Sequence, residues 1–288
     1  MADTRKLSHS QNFIKRRELV NELLNLTNIT ADDVVLEIGP GKGIITTQLV
    51  RLANKVIAIE KDVSLADRLP DVLRQTEKLH LEIADFLSWP LPDIKYKVFS
   101  NIPFNLTADI MRKLTETENS PVDAYLIMQK AAAARFVGKP YGKNTLVALL
   151  LKIKFEIQIK RTISEAEFEP RPQVQIVMIH IHKRIKPLIP EKDINQFRDF
   201  IVYGYTQWQP TVRDAFKKVF TGKQLAIISQ SVPLNLKPTE FNIDQWVSLF
   251  NTFLMYASRD GRKLVNGSEV KLLKQQEKLD KQHRTRYR

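Results

Sequence analysis

The sequence predicts an α/β fold: a Rossmann-like, doubly wound and mostly parallel sheet of seven strands, followed by a small C-terminal helical domain. Two observations carry this reading. Across residues 34–128, short β-branched runs alternate with longer helix-like stretches, the pattern of repeated βα units around a parallel sheet. Beyond Pro187 that alternation gives way to apolar residues spaced three and four apart, the period of amphipathic helices.

Taken in order, the strands are expected at 34–38, 56–59, 79–83, 97–100 and 124–128. Two further runs, 153–159 and 174–181, are separated by a Pro-containing stretch and read as an antiparallel hairpin closing the sheet edge, a common ending for a parallel sheet. Pro187 and Pro190 then punctuate the chain. Phe197, Phe200 and Ile201, then Phe216, Val219 and Phe220, then Trp246, Leu249, Phe250 and Phe253 place helices across 189–256, with Trp208, Phe216 and Trp246 assigned to their core. The domains expected are therefore an α/β domain at 1–187, a small helical domain at 188–257 and a basic tail at 258–288. The tail carries ten Lys and Arg against four acids and few apolar residues, so it is expected to be flexible or partly helical.

Composition narrows the function classes. The 288 residues carry 45 Lys and Arg against 32 Asp and Glu, a formal charge of +13, which favours a polyanionic partner, with nucleic acid ahead of a membrane surface. There is no cysteine, so disulfides, thiolate metal sites and cysteine nucleophiles are excluded. No apolar stretch approaches a membrane span or a signal sequence, and a cytoplasmic monomer is expected. Further basic residues cluster at Arg5, Lys6, Lys15, Arg16 and Arg17 and at Lys152, Lys154, Lys160 and Arg161. Such groups bind phosphates, although charge runs also serve as plain solvated faces.

The first chemical constellation follows the first strand. Val34-Val35-Leu36-Glu37-Ile38 runs into Gly39-Pro40-Gly41-Lys42-Gly43 and then a helix-like stretch, a turn that lets a ligand approach the backbone. Nineteen residues after Gly41, at the end of the next strand, Glu60 can accept both hydroxyls of a ribose, and Asp85, one strand further, can accept from an adenine amino group. Three successive strand ends would thus line one crevice suited to an adenosine cofactor. A dinucleotide fingerprint requires a third glycine where Ile44 stands, which disfavours a nicotinamide cofactor. Each feature alone has an ordinary reading as a tight loop or a solvated acid; their order and spacing favour the nucleoside site.

The second constellation is Asn101-Ile102-Pro103-Phe104, directly after the fourth strand. An exocyclic adenine amine is a poor nucleophile because its lone pair is delocalised into the ring. Acceptors aimed at its two hydrogens return that pair to nitrogen, and the Asn101 side-chain carbonyl and the Ile102 backbone carbonyl are suited to this. Pro103 stiffens the turn by fixing its own φ, and Phe104 offers a face on which a flipped base can stack. The same four residues also make an ordinary turn at a strand end. No His/Asp pair is recognisable as an acid-base couple, and no metal-ligand set is read from the sequence.

In order along the chain, Ser10-Gln11-Asn12-Phe13-Ile14, Glu37-Ile38-Gly39-Pro40-Gly41-Lys42-Gly43, Ala84-Asp85, Asn101-Ile102-Pro103-Phe104 and Phe168-Glu169-Pro170-Arg171-Pro172-Gln173-Val174 resemble the Erm family of erythromycin-resistance ribosomal RNA adenine methyltransferases. The resemblance is strong over residues 8–181 and weak in the helical region. It implies S-adenosylmethionine as cofactor, N6 of an adenine in 23S ribosomal RNA as target, and macrolide-lincosamide-streptogramin B resistance as the outcome. By resemblance, Asn12 and Ile14 close over the cofactor, Gly39 borders its methionine part, Glu60 holds the ribose and Asp85 the adenine, with Gln11, Gly41, Lys61, Phe86 and Asn101 completing the set. Asn101 and Phe104 hold the target base, and Phe168 stacks on its other face or covers the transfer site. The housekeeping small-subunit (16S-type) dimethyltransferases share this fold, but Ile102, Phe104 and Arg171 favour the large-subunit type. A non-catalytic RNA-binding factor of the same fold and a small-molecule methyltransferase are the other readings. The intact turn and crevice oppose the first, and the basic charge opposes the second.

Overall fold

The apolar runs become β2 (Val34–Ile38), β3 (Lys55–Glu60), β5 (Lys97–Asn101) and β6 (Asp123–Gln129), interior strands buried almost throughout, as strands covered on both faces must be. The computed structural model describes residues 12–67 and 69–286. Gln11 therefore lies outside the described residues. The remaining strands are β1 (Phe13–Ile14), β4 (Leu79–Ile83), β7 (Phe155–Ile163), β8 (Phe168–Glu169) and β9 (Ile176–Lys183). The chain divides into two units: residues up to 134 with 155–184, and residues 135–154 with 185–288.

The first unit holds a seven-stranded mixed sheet in the order β4-β3-β2-β5-β6-β9-β7, with helices on both sides. β2 pairs in parallel with both β3 and β5, and β4 and β6 continue the parallel set outward. β9 and β7 are antiparallel, with β7 outermost, so the hairpin expected at the sheet edge is present. The topology also fixes where a ligand can sit. The chain leaves β2 towards β3 and β4, then returns to build β5 and β6 on the other side of β2. The carboxyl ends of β2 and β5 thus flank the switch point at which open α/β sheets bind ligands. Ser100 Oγ donates to the Ile38 carbonyl at 2.5 Å, and Gly39 N–H donates to the Ile59 carbonyl at 2.9 Å, so three strand ends are tied at this crevice. A second, two-stranded sheet, β1 with β8, was not foreseen in the sequence and brings Ile14 opposite Phe168.

The second unit is helical. Helices Ile194–Thr206, Val212–Phe216, Gly222–Ile228 and Ile243–Tyr256 surround an aromatic core in which the Phe200 ring lies 4.6 Å from Phe216, 4.9 Å from Phe253 and 6.1 Å from Trp246. Phe216 and Trp246 are buried there, as expected. Trp208 is not: it is 92% exposed. Its position continues the apolar phase of Phe197, Ile201 and Gly204, but the helix ends at Thr206 and Trp208 adopts φ 53°, which carries the ring away from the core. The unit also takes in 135–154, which the sequence pattern places in the first domain, because Leu149 and Ile153 join the aromatic core.

The basic tail begins as anchored structure rather than a loose arm. Helix Arg259–Val265 is capped by Ser258 and buries Val265 in the same core. Helix Ser268–Arg286 follows. Glu269 makes a two-bond pair with Arg198, at 2.8 and 2.5 Å, and Asp199 accepts from Gly267 N–H and Glu269 N–H. These anchors are polar, so a census of apolar residues does not reveal them. Among the described residues no helix is long and apolar enough to cross a membrane.

Candidate active site

After β2 the backbone turns through Gly39 and Gly41, both at positive φ (69° and 55°), the region that glycine enters without steric cost. A Cβ on Gly41 would lie 2.6 Å from Phe13 Cε1, so the loop accepts the Phe13 ring only because position 41 has no side chain. Lys42 Nζ lies 5.2 Å from the centroid of that ring, a cation–π contact on the same loop. At Gly39 an added Cβ would meet nothing within 4 Å, and the backbone is open to the crevice.

Glu60, only 3% exposed, ends β3 and binds this loop. Its Oε2 accepts from Gly41 N–H at 3.1 Å and its Oε1 from Asp62 N–H at 2.9 Å. Each carboxylate oxygen has a second lone pair, so both remain able to accept a hydroxyl. On the neighbouring strand Glu37 is fully buried; burial pushes its carboxyl up to about 8, and the Glu60 carboxylate adds to the rise. At neutral pH Glu37 is therefore held neutral beside the Glu60 carboxylate.

At the end of β5 the Asn101 Nδ2 donates to the Asn12 backbone carbonyl at 2.7 Å. That bond sets the orientation of the carboxamide and leaves Oδ1 buried with no hydrogen-bond partner. The turn continues through Pro103, at φ −59°, into a single helical turn, Phe104–Leu106, closed by Thr107, whose hydroxyl donates to the Phe104 carbonyl. Asn101, Ile102, Pro103 and Phe104 form one wall of an open cleft; Gly39, Gly41 and Glu60 form another, and Asn12 and Phe13 close it. The cleft is open on one side, and its roughly 380 Å³ of space between atoms runs out into solvent.

Eight expected site residues thus converge: Asn12, Gly39, Gly41, Glu60, Asn101, Ile102, Pro103 and Phe104. Others do not line the cleft. Lys61 and Asp85, at the ends of β3 and β4, pair at 2.8 Å, and the Lys61 ammonium holds the Asp85 carboxyl below its ordinary value. Phe86 is buried beneath the Lys113 ammonium, 4.8 Å from its ring centroid. Ile14 and Phe168, expected at the cofactor and the target base, are corrected: both are buried in the core beneath the sheet with Leu19, Phe99 and Ile163. Phe168 is 1% exposed and presents no free face to a base. The alternation of a strand explains the exchange, since Ile14 turned inward leaves Phe13 turned to the cleft. Phe13 is the lining residue that sequence reasoning missed, and the same alternation was the signal available for it.

A His/Asp cluster does exist, contrary to expectation, but elsewhere. His180 Nε2 and His182 Nδ1 both donate to Asp123 Oδ1, at 2.7 and 2.8 Å, and Asn28 Nδ2 donates to Oδ2 at 3.0 Å. Asp123 begins β6 opposite Lys97, whereas Asn101 faces Ile127 at the other end, four residues or about 13 Å along the strand. The cluster belongs to the opposite edge of the sheet.

Residues 2–254 match the family model for ribosomal RNA adenine dimethylase. Over 252 residues the chain is 32% identical to an rRNA adenine N-6-methyltransferase of Bacillus licheniformis, covering 85% of this chain and 86% of the relative. It is 27% identical over 254 residues to ribosomal RNA small subunit methyltransferase A of Francisella tularensis, covering 85% of this chain and 96% of that one. The fold superposes on that of the 23S rRNA methyltransferase ErmE with a TM-score of 0.78 at 20% identity, over 84% of this chain and 99% of ErmE.

Proposed function

From the premise that the chain belongs to the ribosomal RNA adenine dimethylase family, a family of methyltransferases, we propose that it methylates the exocyclic N6 amine of an adenine in 23S ribosomal RNA, acting as a monomer with S-adenosylmethionine as donor. The observation that carries this reading is the unpartnered Asn101 Oδ1 in the wall of the cleft. A buried amide oxygen without a donor is costly and rare, and it suits a site whose missing donor arrives with the substrate.

The residues present fit the cofactor. The open space above Gly39 admits a ligand against the backbone, and the free lone pairs of Glu60 suit ribose hydroxyls. S-adenosylmethionine supplies an electrophilic methyl group when bound. The chain's own task is then alignment. Asn101 Oδ1 and the Ile102 carbonyl accept the two N6 hydrogens, drawing the lone pair onto nitrogen, while Phe104 stacks on the base and holds the amine in line. Asn12 fixes the Asn101 carboxamide so that its oxygen, not its nitrogen, meets the amine. Among the described residues Glu60 is the one carboxyl side chain in the cleft wall, and both its oxygens are engaged by backbone N–H groups, so its role is binding. The proton that the methylated amine sheds passes to solvent through the open cleft.

The large-subunit target is supported by Ile102, Phe104 and Arg171, the residues that set the resemblance apart from the small-subunit type. Methylation of the macrolide site would confer macrolide-lincosamide-streptogramin B resistance. The small-subunit reading rests on the Francisella relative, matched over nearly its full length. Primer extension on ribosomal RNA from cells expressing the chain separates them. A stop at the large-subunit macrolide site is expected, a stop near the small-subunit 3′ end would transfer the assignment, and no stop together with no labelled methyl group incorporated into either RNA would end the proposal.

A further inference from the structure

Trp208 is the most exposed tryptophan of the described chain, and stability does not account for it. At 92% exposure it buries almost nothing, and among the described residues it enters no ring pair, whereas Trp246 is fully buried in the aromatic core. It is also the one non-glycine residue at positive φ among the described residues, sitting just past the helix Ile194–Thr206 where glycine is the usual occupant. A bulky aromatic at this position is sterically disfavoured and leaves its ring in water. The loop is nonetheless held at its far end: Thr211 Oγ1 accepts from Asp214 N–H, and Val212 and Arg213 N–H donate to the Leu236 and Leu234 carbonyls. The ring thus stands on a braced support.

The surroundings give the partner's charge. Arg213 and Lys217 lie four residues apart on one face of the next helical turn, and Lys218 and Lys237 are exposed nearby along the two hydrogen-bonded segments. The acid within this turn, Asp214, accepts from the Thr211 hydroxyl at 2.6 Å. A flat, solvent-facing indole five residues before Arg213, on the loop that leads into this cationic turn, matches the two demands of an unpaired nucleotide: a π-face for its base and positive charge for its phosphates.

We propose that Trp208 is a stacking platform for an unpaired base of the RNA substrate, with Arg213 and Lys217 engaging the adjoining phosphates. The proposal rests on the RNA-directed reading above and adds to it a contact within the helical unit, apart from the cleft at Asn101. Because stacking requires a splayed base, the platform distinguishes looped or single-stranded RNA from a closed duplex.

The test uses the full chain with two probes, a fluorescein-labelled RNA hairpin with an unpaired loop and a fully paired RNA duplex of the same length. Trp208→Ala should weaken hairpin binding about tenfold, the scale of one base stack, and leave duplex binding unchanged. Trp208→Phe should restore most of the affinity. Hairpin addition should quench indole emission in the wild type and not in Trp208→Phe. The melting temperature of Trp208→Gly should not fall, since glycine suits the backbone. On a methylatable transcript Trp208→Ala should raise KM and leave kcat unaltered. Equal hairpin affinity of wild type and Trp208→Ala overturns the platform while leaving the RNA-directed reading intact. Light scattering that finds a wild-type dimer and a Trp208→Ala monomer assigns the ring to a contact between copies and also overturns it. A wild-type chain that binds neither RNA overturns the functional reading and the platform together.

Discussion

Asn101 Nδ2 donates to the backbone carbonyl of Asn12 at 2.7 Å, and this single bond determines which end of the carboxamide the cleft receives. It consumes the donor and leaves the acceptor, Oδ1, without a partner. A residue from the N-terminal segment therefore sets the polarity of a side chain at the end of β5, so under the proposed function the segment Asn12-Phe13 bears on methyl transfer as well as on cofactor enclosure.

Asn101→Ala should keep cofactor affinity largely intact and reduce methyl transfer by orders of magnitude, because the missing acceptor acts mainly on the reacting amine. Asn101→Asp should also lose most activity, since a carboxylate cannot donate to the Asn12 carbonyl and loses its orientation. Single-turnover methylation alongside calorimetric cofactor binding checks both, and near-wild-type turnover in Asn101→Ala would sink the assignment.

Glu60→Gln is predicted to be far from conservative. Both carboxylate oxygens accept from backbone N–H groups, so the amide nitrogen of Gln must face Gly41 or Asp62 N–H, donor against donor. We expect S-adenosylmethionine affinity to fall by about tenfold or more, the value of one hydrogen bond to a charged acceptor. Unchanged calorimetric affinity would place the cofactor away from this loop.

Much of this site was legible in the sequence, for a physical reason. Buried parallel strands leave continuous apolar runs, and the glycine turn and the Asn101–Phe104 turn leave residue types that few other positions tolerate, so β2, β5 and their loops could be located directly. The misplacements share another cause. Ile14 and Phe13 differ only in which side of a two-residue strand they face, and nothing local to Phe13-Ile14 states that β8 lies alongside. Trp208 keeps the helical phase in sequence, but the helix stops before reaching it. The tail is held by Asp199 and Arg198, polar residues whose partners lie about 70 positions away.

Glu37 gives a pH prediction with a definite sign. Its carboxyl is raised from 4.5 to about 8 in the folded chain, so between those values the folded state holds a proton that the unfolded state has released. Folding stability from this group is full below pH 4.5 and is lost progressively as the pH rises to about 8. Glu37→Gln should flatten that decline, and its advantage over wild type in denaturant midpoint should grow from acid to mildly alkaline pH. Parallel stability curves for the two proteins would show that Glu37 is ionised in the fold.

Asp123 behaves in the opposite sense. Burial opposes its ionisation, but hydrogen bonds from His180, Asn28 and His182 prevail and hold it near 2, below its ordinary 3.8. Its contribution is present above pH 3.8 and is lost as the pH falls towards 2. Asp123→Asn should cost about 2 kcal/mol at neutral pH, the scale of a hydrogen bond to a charged group, without changing methyl transfer per folded molecule, because the cluster sits at the other edge of the sheet. Loss of specific activity at full folding would tie the cluster to the cleft and contradict this.

The tail offers a prediction in which its anchored and charged parts must be separated. Removing residues 261–288 would take away Val265 from the aromatic core and Glu269 from Arg198, so weaker RNA binding by that protein would mix damaged structure with missing charge. Removing residues 279–288 leaves those anchors and deletes Lys281, Arg284, Arg286 and Arg288 with Asp280, a net of three positive charges. If these cations engage phosphates, RNA affinity should fall at low salt for cognate and unrelated RNA alike. The slope of log affinity against log salt should then flatten by about 0.7 to 0.9 for each phosphate that is no longer neutralised. The methylated nucleotide should not change, because base selection stays with Asn101 and Phe104 while the phosphate-binding cations only position the RNA. Full-length and shortened chains with the same salt slope and the same melting temperature would instead assign these residues to solvation of the helix end.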